Sequence, residues 1–426
     1  MVVRRFVVVA DRSEKEHASK YSGGGNSVMR LDGRRVELLP EPDEPGMMTV
    51  IDREAPGYEP YSSPVETPRG VPQGSPFQTW RSGIMVVVLS ILVLSYPLME
   101  SILFGPLIPT SEWAFEDTEL RDLQNKGLNG TGVHVCMVDT GVDRSHPAFT
   151  DAEFGGFLDF VIPENEDFVD HGIDHHGTMM AGLLIAEGAF QGGAPGVTLS
   201  VAAALGPTGY SIDDSAVGEA IDWCWRVQKA DIISLSLGGE ADPSMAISGP
   251  TVSAVEDALA AGAYIVAAAG NRGENSSDVS IPGAIEGVIS VAASTRTGDI
   301  WIDASRGSGE FEGETRSNPN LKPEIASPGR DIISTNNPEL GVPYASSSGS
   351  SVSTVFVTAA LALILEAHGE KLQQIRDEQS VEAARDVLKT SLMQSANSDY
   401  EGHDDRLGYG VLDAVEWERS VGESLS

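Results

Sequence analysis

The sequence predicts an α/β fold in three layers, in which a mainly parallel central sheet is flanked by helices. Between about residues 131 and 415, short apolar runs alternate with longer stretches of helical periodicity, as in chains built from repeated strand and helix units. The apolar runs are continuous rather than alternating, which is typical of parallel strands buried on both faces. Such a core is large enough to be stable without a disulfide framework.

The elements follow from these runs. GVHVCMVD at residues 132–139 is predicted as a buried strand, and Thr140–Gly141 turns the chain after it. Buried helices are predicted directly after His176 and from Ser351 onward, and the amino end of a helix favours negative charge. Because ligand sites of open parallel sheets lie at the carboxyl ends of the strands, we expect Asp139, His176 and Ser351 at one edge of the sheet.

These residues have the chemistry of an activated nucleophile. A serine hydroxyl needs a base within hydrogen-bond reach, and the base needs an orienting acceptor. VDTGVD at 138–143, DHHGT at 174–178 and SGSS at 348–351 supply acid, base and nucleophile in that order, and AAAGN ends at Asn271, whose amide could donate to an oxyanion. Taken singly, each motif has an ordinary alternative as a turn, a surface histidine or a flexible loop.

Together, the motifs resemble those of the subtilisin-like serine peptidases, the subtilases, over roughly Thr131 to Ala414. Further segments that carry the resemblance are GGAPGVTLSVAAAL (192–205), DIISLSLGG (231–239), IPGAIEGVISVAAS (281–294), LKPEIASPG (321–329) and GYGVLDA (408–414). The resemblance implies a subtilisin-like fold and a serine endopeptidase that works through an acyl-enzyme intermediate.

The resemblance also implies which residues act. The family's histidine stands directly before Gly-Thr, which selects His176 over His175. Alignment of Gly349-Ser350-Ser351 with the family's Gly-Thr-Ser selects Ser351 as the nucleophile. Asp139 would orient the imidazole and Asn271 would stabilise the oxyanion.

Substrate contacts are implied in the same way. The substrate is expected to lie as an added strand along Ser236, Leu237, Gly238 and Gly239. Ala268, Ala269 and Ser280 are expected to line the first specificity pocket, where small uncharged residues favour large apolar or aromatic substrate side chains. The alternative is that Ser280 is an ordinary loop residue.

The chain departs from the family pattern in places. Met179 replaces a usual histidine, and Val352 to Phe356 replace a usual Met-Ala-x-Pro-His, with Val355 at the proline position. Ala148 follows His146-Pro147, where the family often has a calcium-ligating Asp. No cofactor is expected, and a structural Ca²⁺ is not indicated at that position.

Composition points to an unusual solvent. The net charge is −35, and the 63 acidic side chains face only 28 basic ones, of which seven are Lys. Such a surface repels itself unless salt screens it, a pattern that indicates a halophilic protein. An ordinary acidic secreted enzyme is the alternative. The same charge opposes binding to nucleic acid, and we expect a monomer.

Four segments are predicted along the chain. Residues 1–82 form a proline-rich and disordered region, with nine prolines between Pro40 and Pro76. Residues 83–109 form a membrane segment, residues 110–419 form the peptidase domain, and residues 420–426 form a tail. Cys136 and Cys224 are too few for a disulfide framework and are expected as small buried residues, although a single bridge between them stays open.

The membrane prediction depends on one uncharged run. Gly83 to Met99 contains 17 residues without a charge, close to the roughly 20 that span a bilayer core. Arginines precede the run and acidic residues follow it, so the positive-inside tendency predicts a single-pass protein with an extracytoplasmic peptidase. The alternatives are a cleaved signal behind an incorrectly chosen start codon, giving a secreted enzyme, and a buried helix.

Two other functions stay open. A subtilase fold can be catalytically silent and act as a binding or scaffold protein, although the intact four-residue set opposes this. A protease dedicated to processing one precursor would carry the same motifs as a broad endopeptidase.

Overall fold

The computed structural model describes two units, residues 1–90 and 91–426. The described residues are 21–23, 26–31, 34–38, the helical positions 87, 88, 90, 91 and 95, and 110–426 apart from 189, 210, 212, 238–248 and 338–342. Three antiparallel strands, β1 (Tyr21–Gly23), β2 (Asn26–Leu31) and β3 (Arg34–Leu38), lie within the region predicted to be disordered. Pro40 to Pro76 and most of the predicted membrane segment 83–109 lie outside the described residues.

The second unit is built on a seven-stranded sheet in the order β12-β9-β8-β7-β4-β6-β5, and every neighbouring pair is parallel. Its strands and two short antiparallel pairs are β4 (His134–Asp139), β5 (Glu153–Asp159), β6 (Thr198–Ala203), β7 (Ile232–Leu235), β8 (Tyr264–Ala268), β9 (Ile289–Ser294), β10 (Glu310–Phe311), β11 (Glu314–Thr315), β12 (Ile325–Pro328), β13 (Ile332–Thr335) and β14 (Tyr344–Ser347). The predicted fold class is confirmed.

Helices cover both faces of this sheet. They are α1 (Glu112–Asp117), α2 (Leu120–Asn125), α3 (His176–Ile185), α4 (Asp214–Asp222), α5 (Pro250–Ala261), α6 (Ser350–Glu378), α7 (Val381–Ser395) and α8 (Ala414–Ser424). Helices α3 and α6 share one apolar cluster with residues of the sheet, and α4 and α5 share another. The continuous apolar strands are explained by this double cover, since almost every position in β4, β8 and β9 is buried.

Helix α6 forms the centre of the larger cluster. Among the described helices, it is the one long and apolar enough to cross a bilayer, but 78% of its most apolar stretch is buried inside the protein. It contacts β7, β8, β9 and β12 as well as α3. Helix α6 is therefore a core helix that carries Ser351 at its amino end.

Two features add to the sequence-based expectation. Cys136 in β4 and Cys224 in the π-helical turn after α4 are both fully buried, as expected, and they form the single disulfide that the sequence leaves open, with Cα atoms 5.6 Å apart. Residues 420–424, predicted as part of a tail, continue α8, and Val421 is fully buried. Ser420 and Val421 lie on the buried face of α8, whereas Glu423 and Ser424 are exposed.

Candidate active site

Asp139 and His176 form a direct pair. Asp139 is the last residue of β4 and is fully buried, and His176 is the first residue of α3. The His176 Nδ1 atom lies 2.7 Å from Asp139 Oδ1, which also accepts a hydrogen bond of 2.7 Å from the Thr140 amide. His176 thus presents its other nitrogen, Nε2, away from the carboxylate, which leaves that nitrogen available to a reacting group.

Ser351 lies in the first turn of α6, on the neighbouring part of the sheet edge. Its hydroxyl donates a 2.9 Å hydrogen bond to the Ser236 carbonyl, and the Ser236 hydroxyl donates in return to the Ser351 carbonyl at 3.1 Å. No hydrogen bond joins Ser351 to His176 within the described part of the chain. The Ser351 hydroxyl is thus directed toward Ser236 and not toward His176.

Strand register brings these two halves to the same edge. In the parallel pair of β4 and β7, Met137 is opposite Ser234. Two residues further along, Asp139 ends β4, and Ser236 directly follows β7. Both therefore lie at the carboxyl edge of adjacent strands, where an open α/β sheet places its ligand.

Asn271 is held in one orientation by Ser350. The Asn271 Oδ1 atom accepts from the Ser350 amide at 2.8 Å and from the Ser350 hydroxyl at 2.9 Å. The Ser350 hydroxyl in turn accepts a 3.0 Å bond from the Gly270 amide. With both hydrogen bonds on its oxygen, the amide must present its NH₂ group outward, toward Gly349. Asn271 is exposed, so this donor is available at the surface of the site.

The electrostatics of the site favour the imidazolium. Burial by itself would lower the pKa of His176, but the carboxylates of Asp139, Asp174 and Asp170 outweigh burial and raise it to about 9. Asp139 contributes both its charge and its hydrogen bond. A base that becomes more basic beside a fixed carboxylate can hold a proton taken from a hydroxyl.

Comparison with known proteins identifies the family of the chain. A model of the subtilase family matches residues 130–410. The chain belongs to the subtilase family. It is 32% identical over 287 residues to serine protease AprX of Bacillus subtilis (strain 168), an alignment that spans 59% of this chain and 62% of AprX. It is 33% identical over 296 residues to an intracellular serine protease of Paenibacillus polymyxa, spanning 67% of this chain and 81% of that relative.

A solved structure shows the same fold. The prenylagaramide maturation protease PagA superposes with a TM-score of 0.55 at 20% identity, covering 71% of this chain and 98% of PagA. This subtilase therefore has a subtilisin-like fold.

In this subtilase, the small residues predicted to contact substrate are mostly buried. Ser280 is 2% exposed, and its amide donates a 2.8 Å hydrogen bond to the Ala269 carbonyl. A Cβ atom on Gly270 would stand only 2.3 Å from the Ser280 hydroxyl, so Ser280 packs directly beneath the Gly270–Asn271 turn. Ala268 and Ala269 are also buried, as are Ser236 and Leu237, whereas Gly238 and Gly239 lie outside the described residues.

The positions that depart from the family pattern are buried too. Met179 and Val355 are each about 97% buried, in α3 and in an uninterrupted α6 respectively. Ala148 is buried in a short helical turn. Among the described residues, no group of three or more His, Cys, Asp and Glu side chains is arranged to hold a metal ion.

Other histidines contact different partners. His175 Nε2 lies 3.1 Å from the side-chain nitrogen Nδ2 of Asn337, and His175 Nδ1 is buried without a hydrogen bond. His134 Nε2 lies 2.8 Å from the Ser200 hydroxyl, which donates to Gln228. Because Ser200 is fully buried and His134 begins β4, this pair lies at the opposite end of that strand from Asp139, out of reach of a substrate.

Sequence reasoning missed the residues that support the site. The sequence pattern marks Ser350 only as the residue before Ser351, and Asp170 lies in a loop whose pattern gives no signal. Both are recognised only by their hydrogen bonds, to Asn271 in one case and to the start of α3 in the other.

Proposed function

We propose that this subtilase is a serine endopeptidase acting through an acyl-enzyme intermediate. Ser351 Oγ attacks the substrate carbonyl, and His176 Nε2 takes the hydroxyl proton and later returns it to the leaving amine. Asp139 accepts a hydrogen bond from the Nδ1–H of His176, which fixes the orientation of the imidazole and stabilises the imidazolium. Asn271 Nδ2 and the Ser351 amide donate to the oxyanion. The observation that carries the proposal is the 2.7 Å Asp139–His176 pair at the edge where Ser351 begins α6.

A fluorophosphonate probe tests the nucleophile. We expect the wild-type protein to be labelled at Ser351 and the Ser351→Ala variant to be neither labelled nor active, with an unchanged melting temperature. His176→Ala should also lose activity, whereas His175→Ala should retain it. An inactive His175→Ala beside an active His176→Ala would overturn the assignment.

A silent binding protein is the second candidate, and the Ser351–Ser236 hydrogen bond is the observation that favours it. That bond holds the hydroxyl away from the base. A wild-type protein that folds, binds peptides and resists the probe would establish this alternative.

For specificity, we propose that large apolar or aromatic side chains precede the scissile bond. The nearest carboxylate to Ser280 in sequence, that of Asp278, is already paired with Arg316 at 2.9 Å and accepts a further hydrogen bond from the Ser308 amide. It is therefore not free to select a basic substrate. Chromogenic peptides that differ only at this residue decide the point, and a preference for Arg or Lys over Phe and Leu would refute it. Cleavage sites in a proteome digest separate a broad enzyme from one dedicated to a single precursor.

For localisation, we propose a membrane-tethered enzyme with an extracytoplasmic peptidase domain. The charge asymmetry around residues 83–109 supports it, and a buried disulfide is typical of oxidising compartments. Two relatives carry names that call them intracellular, which favours the opposite. Fractionation with membranes after carbonate washing, together with labelling by an external reagent, is the expected result. A soluble mature form that begins near residue 105 would show a cleaved signal.

A further inference from the structure

The Asp170 carboxylate is saturated with hydrogen bonds. Its Oδ1 accepts from the Thr140 hydroxyl at 2.6 Å and from the Gly172 amide at 2.9 Å. Its Oδ2 accepts from the Thr178 amide at 2.8 Å and from the Thr178 hydroxyl at 2.6 Å. Four donors, two of them hydroxyls at short distance, are more than a surface carboxylate needs and indicate a fixed structural anion.

The partners of Asp170 are the immediate neighbours of the acid and the base. Thr140 directly follows Asp139, and Thr178 is two residues beyond His176. The Thr140 hydroxyl also accepts a 2.9 Å bond from the Gly177 amide. One carboxylate thus links the end of β4, which carries Asp139, to the first turn of α3, which carries His176. The alignment of the two side chains depends on how these two segments lie relative to each other.

Asp170 also replaces a missing helix cap. The residue before α3, His175, makes no side-chain capping bond. The amides of the first turn are instead taken by Thr140, which bonds Gly177, and by Asp170, which bonds Thr178. The positive end of the helix dipole disfavours an imidazolium on His176, and a carboxylate bound there offsets it.

Backbone contacts leave this junction little freedom. A Cβ atom on Gly177 would lie 2.0 Å from the Gly141 carbonyl oxygen, and one on Gly141 would lie 1.9 Å from that of Val169. The two chain segments and the Asp170 loop are therefore in direct backbone contact. The hydrogen bonds of Asp170 lie within this junction, between the end of β4 and the first turn of α3.

We propose that Asp170 is a positioning residue for catalysis, which aligns His176 with Asp139 through Thr140 and Thr178 and supplies the anion at the start of α3. This inference deepens the proposed function and rests on it. The charged groups that face His176 are Asp139 from β4 and Asp170 and Asp174 from the loop before α3.

The test compares two variants that remove the same charge. Asp170→Asn loses the charge and one of the two acceptor oxygens, so either the Thr178 donors or the Thr140 and Gly172 donors are left without an acceptor. Asp174→Asn, at an exposed residue two positions before His176, loses charge alone. We expect Asp170→Asn to lower kcat at the plateau of the pH profile by about 10- to 100-fold, as a misplaced catalytic group does, with KM nearly unchanged. Asp174→Asn should leave the plateau value of kcat unchanged and should only shift the pH range over which the rate rises to that plateau.

A second pair covers the case in which Asp170→Asn fails to fold. Thr140→Ser keeps the linking hydroxyl and should retain activity, whereas Thr140→Val removes it from a fully buried site and should lose kcat. Equal plateau rates for the two Asp variants, or equal rates for the two Thr140 variants, would overturn the proposal.

Failure of the proposed function gives a different signature. If the wild-type protein neither labels with fluorophosphonate nor cleaves peptides, that function is refuted. The His176 Nδ1 proton resonance then still reports alignment with Asp139. It should shift in Asp170→Asn and Thr140→Val and stay unchanged in Thr140→Ser, and an unchanged resonance in all of them would refute the positioning role.

Discussion

At the scale of single residues, the candidate site is organised by hydrogen bonds that fix the side chains of Asp139, His176 and Asn271. Asn271 illustrates this, because its amide orientation is set by Ser350 rather than by its own backbone. His176 illustrates the electrostatic counterpart, because three carboxylates oppose the effect of its burial. Small changes at these positions should therefore alter rates far more than they alter stability.

The first prediction concerns the oxyanion donor. Asn271→Ala should lower kcat by about 10² to 10³ with little change in KM, because one donor that acts mainly in the transition state is lost. Asn271→Asp is the matched control, since it keeps the acceptor for Ser350 but loses the NH₂ donor, and it should be at least as slow. Retained turnover in both variants would show that the oxyanion is stabilised elsewhere.

The second prediction concerns pH. The imidazole must be neutral to accept a proton, so kcat/KM should rise with pH up to the pKa of His176, which is raised to about 9. Asp174→Asn should move this limb to lower pH in dilute buffer, and molar salt should shrink the difference because it screens the charge. If the pH at which kcat/KM rises changes neither with the substitution nor with salt, the assigned effect of Asp174 on the pKa of His176 is wrong.

The raised pKa of His176 also makes the stability of the folded protein depend on pH. The folded protein binds the His176 proton more tightly than the unfolded chain, whose histidine has an ordinary pKa of 6.5. Its contribution to the free energy of unfolding is therefore complete below pH 6.5 and is lost as pH rises through about 9.

At the scale of secondary-structure elements, two covalent or ionic links fix the sheet to its neighbours. The disulfide joins Cys136, which lies in β4 three residues before Asp139, to Cys224 in the turn after α4. On the other side, Glu324 Oε1 accepts from the buried ammonium groups of Lys322 at 2.8 Å and of Lys389 at 2.6 Å. Lys389 lies in α7 and Glu324 precedes β12, so this trio fastens a helix to the edge of the sheet.

The third prediction concerns the disulfide. It closes a loop across 88 residues, and the chain-entropy model gives such a link about 4 to 5 kcal/mol of stability. Replacing both cysteines in Cys136→Ala/Cys224→Ala should lower the free energy of unfolding by up to this amount while leaving kcat/KM near wild type. Either single variant should match the double variant, since each breaks the bond. Two free thiols in the native wild-type protein would contradict the pairing.

The fourth prediction concerns the buried trio. Glu324→Gln removes the carboxylate that raises the pKa of Lys322, so Lys322 must either lose its proton or stay charged without a counter-ion, which should cost up to about 3 to 5 kcal/mol in denaturant unfolding. Lys389→Met should cost much less, because Lys322 still pairs with Glu324. Burial and the neighbouring Lys389 lower the pKa of Lys322 to about 7, even though Glu324 opposes them. A loss under about 1 kcal/mol in Glu324→Gln would show that the fold does not depend on Glu324 as a counter-ion.

At the scale of the whole molecule, charge is the dominant feature. With a net charge of −35, the acidic side chains repel one another more strongly in the compact folded state than in the unfolded chain, and counter-ions weaken this repulsion. Two of the seven lysines, Lys322 and Lys389, are buried and contribute nothing to the surface. The halophilic character of the protein stays a prediction that only solution measurements address.

The fifth prediction is a dependence of activity and folding on salt. Activity and then structure should be lost as salt is withdrawn, and molar NaCl should restore both if unfolding is reversible. A nonionic osmolyte at equal osmolality is the control, since it favours the compact state without screening charge. An unchanged melting temperature in dilute buffer would refute the halophilic interpretation.

The sequence by itself determined the fold class, the family and the order of the Asp, His and Ser motifs along the chain. Continuous apolar runs require strands covered on both faces, and short motifs hold residues that are close along the chain, such as Asp139 with Thr140 or His176 with Gly177. Only the tertiary structure decided the partners that meet from distant segments. The Asp170 link to Thr140 and Thr178, the Ser350 bond that orients Asn271, and the Cys136–Cys224 pairing all join residues that strand register and helix packing bring together, and no local pattern encodes such contacts.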